Sequence, residues 1–112
     1  MSVNKVILLG HVGADPEVRY PEKDKAIAIL SLATNETAGN GVEITEWHRL
    51  VFIGHIAEIV ERYVRKGMML YVEGKLSTRE YQDRMKITRK RTDIIVSNFE
   101  IVNRSTQNPQ PQ

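Results

Sequence analysis

The chain has no cysteine, which excludes disulfides and thiolate metal sites. Aromatic residues are scarce, 6% of 112, and tryptophan occurs once. No apolar run approaches the ~18 residues of a membrane-spanning helix. The N-terminal run Val6–Leu9 is too short for a signal peptide and is broken by Gly10 and His11, so a cytoplasmic protein is expected. Catalytic groups are missing too. His11, His48 and His55 have no metal-ligand spacing. Gly10-His11-Val12-Gly13 lacks the pattern and the lysine of a phosphate loop. Ser31, Ser77 and Ser97 stand in no nucleophile context. These absences predict a non-enzyme with no cofactor. Neither sign of charge dominates, the net being +2, yet it is unevenly placed: −3 over residues 1–46 and +5 over residues 47–112. The excess of Lys and Arg after the tryptophan points mildly to a polyanionic partner.

What is present is mostly strand. Period-two or β-rich segments predict strands over 3–12, 26–34, 44–53, 68–79 and 86–96, with a short addition at 99–102. Turn formers place hairpin tips at 35–43, around Gly39-Asn40-Gly41, and at 80–85. Between the third and fourth strands, Ile56, Ile59, Val60, Tyr63 and Val64 fall on one face of a helix over 55–66, with Gly67 as a left-handed cap. The length suits one domain. Five strands with one short helix between the third and fourth give an all-β, OB-type five-stranded barrel over 1–103, an order shared by some other small barrels. The tail S-T-Q-N-P-Q-P-Q is apolar-free and predicts a disordered segment over 104–112.

Alternation also sorts the side chains. In the third strand Leu50 and Phe52 share one face and Trp47 and Arg49 the other. An unpaired Arg is rarely buried, so Trp47 is expected outside. In the fourth, Leu70, Val72 and Leu76 oppose Tyr71, Glu73, Lys75, Ser77, Arg79 and Tyr81. Rings interleaved with cations suit single-stranded nucleic acid. Any base can stack on an aromatic side chain, worth ~1–3 kcal/mol per base in single-strand binders, and cations meet the phosphates with a salt-dependent gain. The competing reading packs Trp47 and Tyr81 against a loop or a partner subunit. Arg84, Lys86, Arg89, Lys90 and Arg91 load the last hairpin with positive charge, either as a phosphate-tracking arm or as an edge that deters aggregation.

Five motifs occur in order: Val3-Asn4-Lys5-Val6-Ile7-Leu8-Leu9-Gly10, Asp15-Pro16-Glu17-Val18-Arg19-Tyr20, Thr45-Glu46-Trp47-His48-Arg49, Tyr63-Val64-Arg65-Lys66-Gly67, and Leu70-Tyr71-Val72-Glu73-Gly74-Lys75-Leu76 with Thr78-Arg79. Over about residues 2–102 the chain closely resembles the bacterial-type single-stranded DNA-binding protein family. The resemblance implies an OB barrel assembled as a homo-oligomer, a tetramer before a dimer. It implies sequence-independent binding of single-stranded DNA in replication, recombination and repair, at the nucleoid. The stacking positions correspond to Trp47 and Tyr81, with Tyr63 near the DNA path. Phosphate positions correspond to Lys5, Arg19, Arg49, Lys66 and Arg79, and the last hairpin adds Arg84, Lys86 and Arg89. His48 and Tyr71 correspond to the subunit interface.

Ala38 and Ile53 stand where the family often has aromatics, and Glu80 where it often has a basic residue. By the per-base figure, two missing platforms weaken binding by ~2–6 kcal/mol per subunit. The family's acidic tip, which recruits replication and repair proteins, is not seen by Gln112, so weak recruitment is expected. Two rival readings follow: a tail-less primosome-type adaptor and an RNA-binding OB module.

Overall fold

A computed structural model describes residues 1–23 and 25–103. Strands β1 (Val6–Val12), β2 (Glu17–Glu22), β3 (Lys25–Thr37) and β4 (Glu43–Ile53) precede helix α1 (His55–Tyr63), and β5 (Met69–Gln82) and β6 (Thr88–Asn103) follow it. Strand β1 pairs antiparallel with β5, β5 with β6, and β6 runs parallel to β4 at Ile94–Leu50 and Ile95–Val51. Strand β4 pairs with β3, and β3 returns to β1 at Ala33–His11 and Leu32–Val12. The five-membered ring β1-β5-β6-β4-β3 is therefore closed, as the OB order predicts, although only two residue pairs join β1 to β3.

The sheet holds six strands, not the expected five. The extra one is β2, which follows Pro16 and contains Pro21, in a stretch not expected to form a strand. It pairs with the first half of β3, Glu17 opposite Ile29 and Arg19 opposite Ile27. Strand β1 occupies only the second half of that same edge. A proline is tolerated in β2 because the strand is itself an edge.

Alternation builds the interior. Ala26, Ala28, Leu30 and Leu32 of β3, Leu50 and Phe52 of β4, Leu70 and Val72 of β5, and Ile94 and Val96 of β6 meet in one core. Phe52 meets Phe99 edge to face, with ring centroids 5.7 Å apart. Full burial of one such side chain is worth ~1.5–3 kcal/mol. Helix α1 packs against β3 and β4 and adds Ala57 and Val60 to that core.

Several boundaries differ from expectation. The helix stops at Tyr63, not 66, because Val64 turns extended and is buried. Gly67 does take a left-handed φ of 91°. It closes the following turn rather than the helix, and its N–H donates to the Val12 carbonyl at 2.8 Å. The last tip spans 83–87 rather than 80–85. The segments expected at 86–96 and 99–102 are one strand, in which a bulge at Ser97 shifts the register from Gly74–Val96 to Glu73–Asn98. The tail expected disordered over 104–112 lies outside the described residues.

Two hairpin arms leave the ring. The first carries β3–β4 beyond Ala33 to the Thr37–Glu43 pair. The second carries β5–β6 from about Thr78–Thr92 to Gln82–Thr88.

Candidate nucleic-acid interface

Trp47 stands at the base of the first arm and is 61% exposed. It shares the outer face of β4 with Arg49, while Leu50 and Phe52 are fully buried on the other. The ring is seated rather than free. A Cβ added at Gly13 would lie 2.5 Å from Trp47 Cζ3 and 2.9 Å from Cη2. Gly13 itself is tied to β3 through its N–H to the Ser31 carbonyl, 2.9 Å. The missing side chain at Gly13 thus makes the shelf on which the indole lies. The sequence signal was a glycine just after β1, and nothing local linked it to Trp47, 34 positions on.

Tyr81 stands on the second arm, 43% exposed, with the Arg91 guanidinium over its ring at 5.4 Å from the centroid. Arg79 is opposite Arg91 across the β5–β6 ladder. A shallow groove of about 300 Å³ lies beside Arg49, two positions from Trp47, and Arg79, two positions from Tyr81. Val51 and Ile95 line its floor, and Arg19, Arg49, Arg79 and Arg91 also line it. Val51 is buried although it shares Trp47's face, because Ile29 and Ile95 flank it in the sheet.

Sequence reasoning missed Asp93. Its carboxylate is 4% exposed, and Oδ1 lies 3.0 Å from Arg49 Nε and 3.5 Å from Arg91 Nε. The Arg49 contact is ionic, for neither atom finds an aligned hydrogen bond. A buried carboxylate between two arginines would have been findable as the one acidic residue of β6 preceding Ile94 and following the basic run.

The basic hairpin is less free than its composition suggests. Arg89 Nε donates to Asp83 Oδ2 at 2.7 Å, and Arg91 faces Asp93. Asp83 also accepts the N–H groups of Met85 and Ile87 at 2.9 and 3.0 Å. The Arg89 bond first, then the Ile87 N–H, hold the Asp83 carboxyl below the usual aspartate range. Lys86, at φ 62°, carries the left-handed turn. Arg84, Lys86 and Lys90 are exposed. Glu80, the acidic departure, sits on the face opposite Tyr81 and pairs across the ladder with Lys90.

The remaining candidates are spread round the barrel. Arg19 is exposed beside Glu17, its Nη2 2.6 Å from the carboxylate, and this hydrogen bond lowers the Glu17 pKa. The Lys66 N–H donates to Asp15 Oδ1 at 2.8 Å, which fixes Lys66 at the β1–β2 turn that also holds Gly13. Tyr63 is exposed at the end of α1. Lys5 lies at the other side of the ring, 4.0 Å from Glu73. Tyr71 donates to Glu73, which raises the tyrosine pKa, and it pairs with Leu9 of β1. His48 is half-buried away from Trp47, its Nε2 2.9 Å from Thr34 Oγ1. The structure thus brings Trp47, Arg49, Arg79 and Tyr81 to one outer face, with Arg19 at its margin. His48 and Tyr71 lie elsewhere.

Comparison with known proteins gives the same direction. The model of the single-strand binding protein family matches residues 3–102. A single-stranded DNA-binding protein of Bacteroides thetaiotaomicron is 46% identical, aligned over 99% of this chain and 76% of its own length. A solved Plasmodium falciparum SSB in complex with single-stranded DNA superposes with a TM-score of 0.85 at 32% identity, covering 92% of this chain and 97% of that one.

Proposed function

This chain belongs to the single-strand binding protein family, and we propose that it binds and protects single-stranded DNA without regard to base sequence, during replication, recombination and repair. One observation carries the reading: two exposed rings, Trp47 beside Arg49 on the outer face of β4 and Tyr81 beside Arg79 on the outer face of β5, flank a surface where Arg49, Arg79 and Arg91 line one groove. Bases stack on the rings, and phosphates meet the guanidiniums. Arg19 and Lys66 extend the cationic track at one side, Arg84, Lys86 and Arg89 along the arm at the other. Tyr63 and Lys5 serve DNA that continues round the barrel. A duplex hides its base faces, so this surface selects single strands. The role is binding rather than catalysis, in the cytoplasm where the chromosome is copied.

The protein acts as a homo-oligomer. Ile7 and Leu9 are exposed on the outer side of β1, with Tyr71 beside Leu9 in the ladder. This apolar strip supports Tyr71 as an interface residue, and His48 is assigned to the interface by its place away from the DNA face. Light scattering distinguishes the expected tetramer from a dimer.

The test is a titration with oligo-dT, read by Trp47 emission and by anisotropy of labelled DNA. Strong quenching by oligo-dT, and little by duplex, is expected. Equal-length oligo-rU bound more tightly than oligo-dT would transfer the reading to RNA. No binding of either at low salt would favour the adaptor role.

A further inference from the structure

The two platforms stand on different arms, and something must fix their separation. Only a few residues join β4 to β6, with the pairs Leu50–Ile94 and Val51–Ile95 as the backbone link. Next to that link lies Asp93. It is only 4% exposed. Its Oδ1 touches Arg49, which is two positions from Trp47, and Arg91, which covers Tyr81. A continuous chain of contacts therefore runs from the Trp47 strand through Arg49, Asp93 and Arg91 to the Tyr81 ring.

We propose that Asp93 is a positioning residue for DNA binding: its buried carboxylate holds the Arg49 and Arg91 guanidiniums, and through Arg91 the Tyr81 platform, in the geometry that receives a strand. The proposal rests on the single-strand binding reading above. Its chemistry follows from the way the arginines are held. Both approach Asp93 through Nε. A guanidinium has donors on two edges, so engagement at Nε leaves the terminal amino groups for a phosphate. Arg49, Arg79 and Arg91 line the same groove, and without an anion beneath them they would repel one another and turn outward. Asp93 allows them to converge before DNA arrives, so less ordering remains to be done on binding.

This makes a prediction opposite in sign to simple electrostatics. Removing a negative charge from a DNA-binding face should tighten binding if only net charge matters. If Asp93 positions the arginines, Asp93→Asn loosens binding although the protein becomes more positive. We expect oligo-dT affinity at moderate salt to fall about 10-fold. The slope of log K against log salt should become shallower by about 0.7 to 1.4, one or two phosphate contacts on a single strand. Asp93→Glu, which keeps the carboxylate, should stay within about 3-fold of the parent. Asp93→Asn binding as tightly as the parent, or more tightly with a steeper slope, overturns the proposal.

Should Asp93→Asn fail to fold, Arg49→Lys and Arg91→Lys decide. Both keep the charge, but lysine presents one point of charge and cannot hold a carboxylate on one edge and a phosphate on another. Each should weaken binding several-fold at unchanged net charge, and parental affinity in both overturns the assignment. Failure of the parent protein itself to bind oligo-dT is a separate result. It would remove the single-strand reading and this proposal with it, whereas a parent that binds and an indifferent Asp93 remove only the latter.

Discussion

Replacing Gly13 by alanine separates the seat of Trp47 from the rest of the fold. The new Cβ would lie 2.5 Å from Trp47 Cζ3, while ordinary contact begins at 3.4 Å. The ring must therefore retreat by roughly 1 Å or more. It can, because it is 61% exposed and its far edge, not backbone, meets the methyl. The cost is that of pushing one side chain off its rotamer, ~0.5–1.5 kcal/mol. Gly13 does not adopt a left-handed φ, so alanine also reduces the freedom of the unfolded chain, a gain of ~0.4–1 kcal/mol. The two nearly cancel, and the thermal midpoint should move by less than about 8 °C. Binding has no such compensation. A displaced indole loses part or all of one stacking contact, ~1–3 kcal/mol, or up to roughly 150-fold in affinity. The assay is oligo-dT titration beside thermal melting, with the Trp47 emission maximum recorded before DNA is added. Parental affinity and an unchanged emission maximum would refute the shelf. A midpoint lowered far beyond 8 °C would show that the backbone yields instead of the ring.

Gly10 offers the contrast: its added Cβ would lie 2.3 Å from the Ala33 carbonyl oxygen, a backbone atom fixed by the β1–β3 ladder. Gly10→Ala should therefore destabilise by ~2–4 kcal/mol, visible as a large fall in midpoint, while the folded fraction keeps parental affinity for oligo-dT. Trp47→Ala should weaken oligo-dT binding by roughly 5- to 150-fold while leaving stability within about 1 kcal/mol, and equal loss of both would contradict an exposed platform. Asp83 has its folded pKa lowered, chiefly by Arg89 and the Ile87 N–H. Its ordering of the 83–87 tip is therefore complete above the unfolded aspartate range near ~3.9 and is lost as pH falls below it. Amide exchange at Met85 and Ile87 should rise over that window in the parent, and Asp83→Asn should abolish the dependence.

Much of the barrel was legible because alternation is a local signal. Leu50 and Phe52 on one face and Trp47 and Arg49 on the other follow from a two-residue period, and the core confirms that division. The helix was legible for the same reason, although Val64 left it when burial favoured an extended turn. Strand β2 was not legible. Six residues that follow one proline and contain another have little strand character of their own, and β2 exists because β3 has half an edge to spare.

The interface divides along the same line. By itself the sequence determined which side chains are apolar or charged, which share a strand face, and that rings and cations alternate on the outside. Those properties depend on neighbours one or two residues away. Only the tertiary structure decided that Gly13 is the shelf under Trp47, that Arg91 covers Tyr81, and that Asp93 lies beneath Arg49 and Arg91. The Gly13–Trp47 and Arg49–Asp93 contacts join residues 34 and 44 positions apart, and they form because ring closure brings β1, β4 and β6 to the same side of the barrel. No local period encodes that closure, since it is fixed by how all the strands together bury one core.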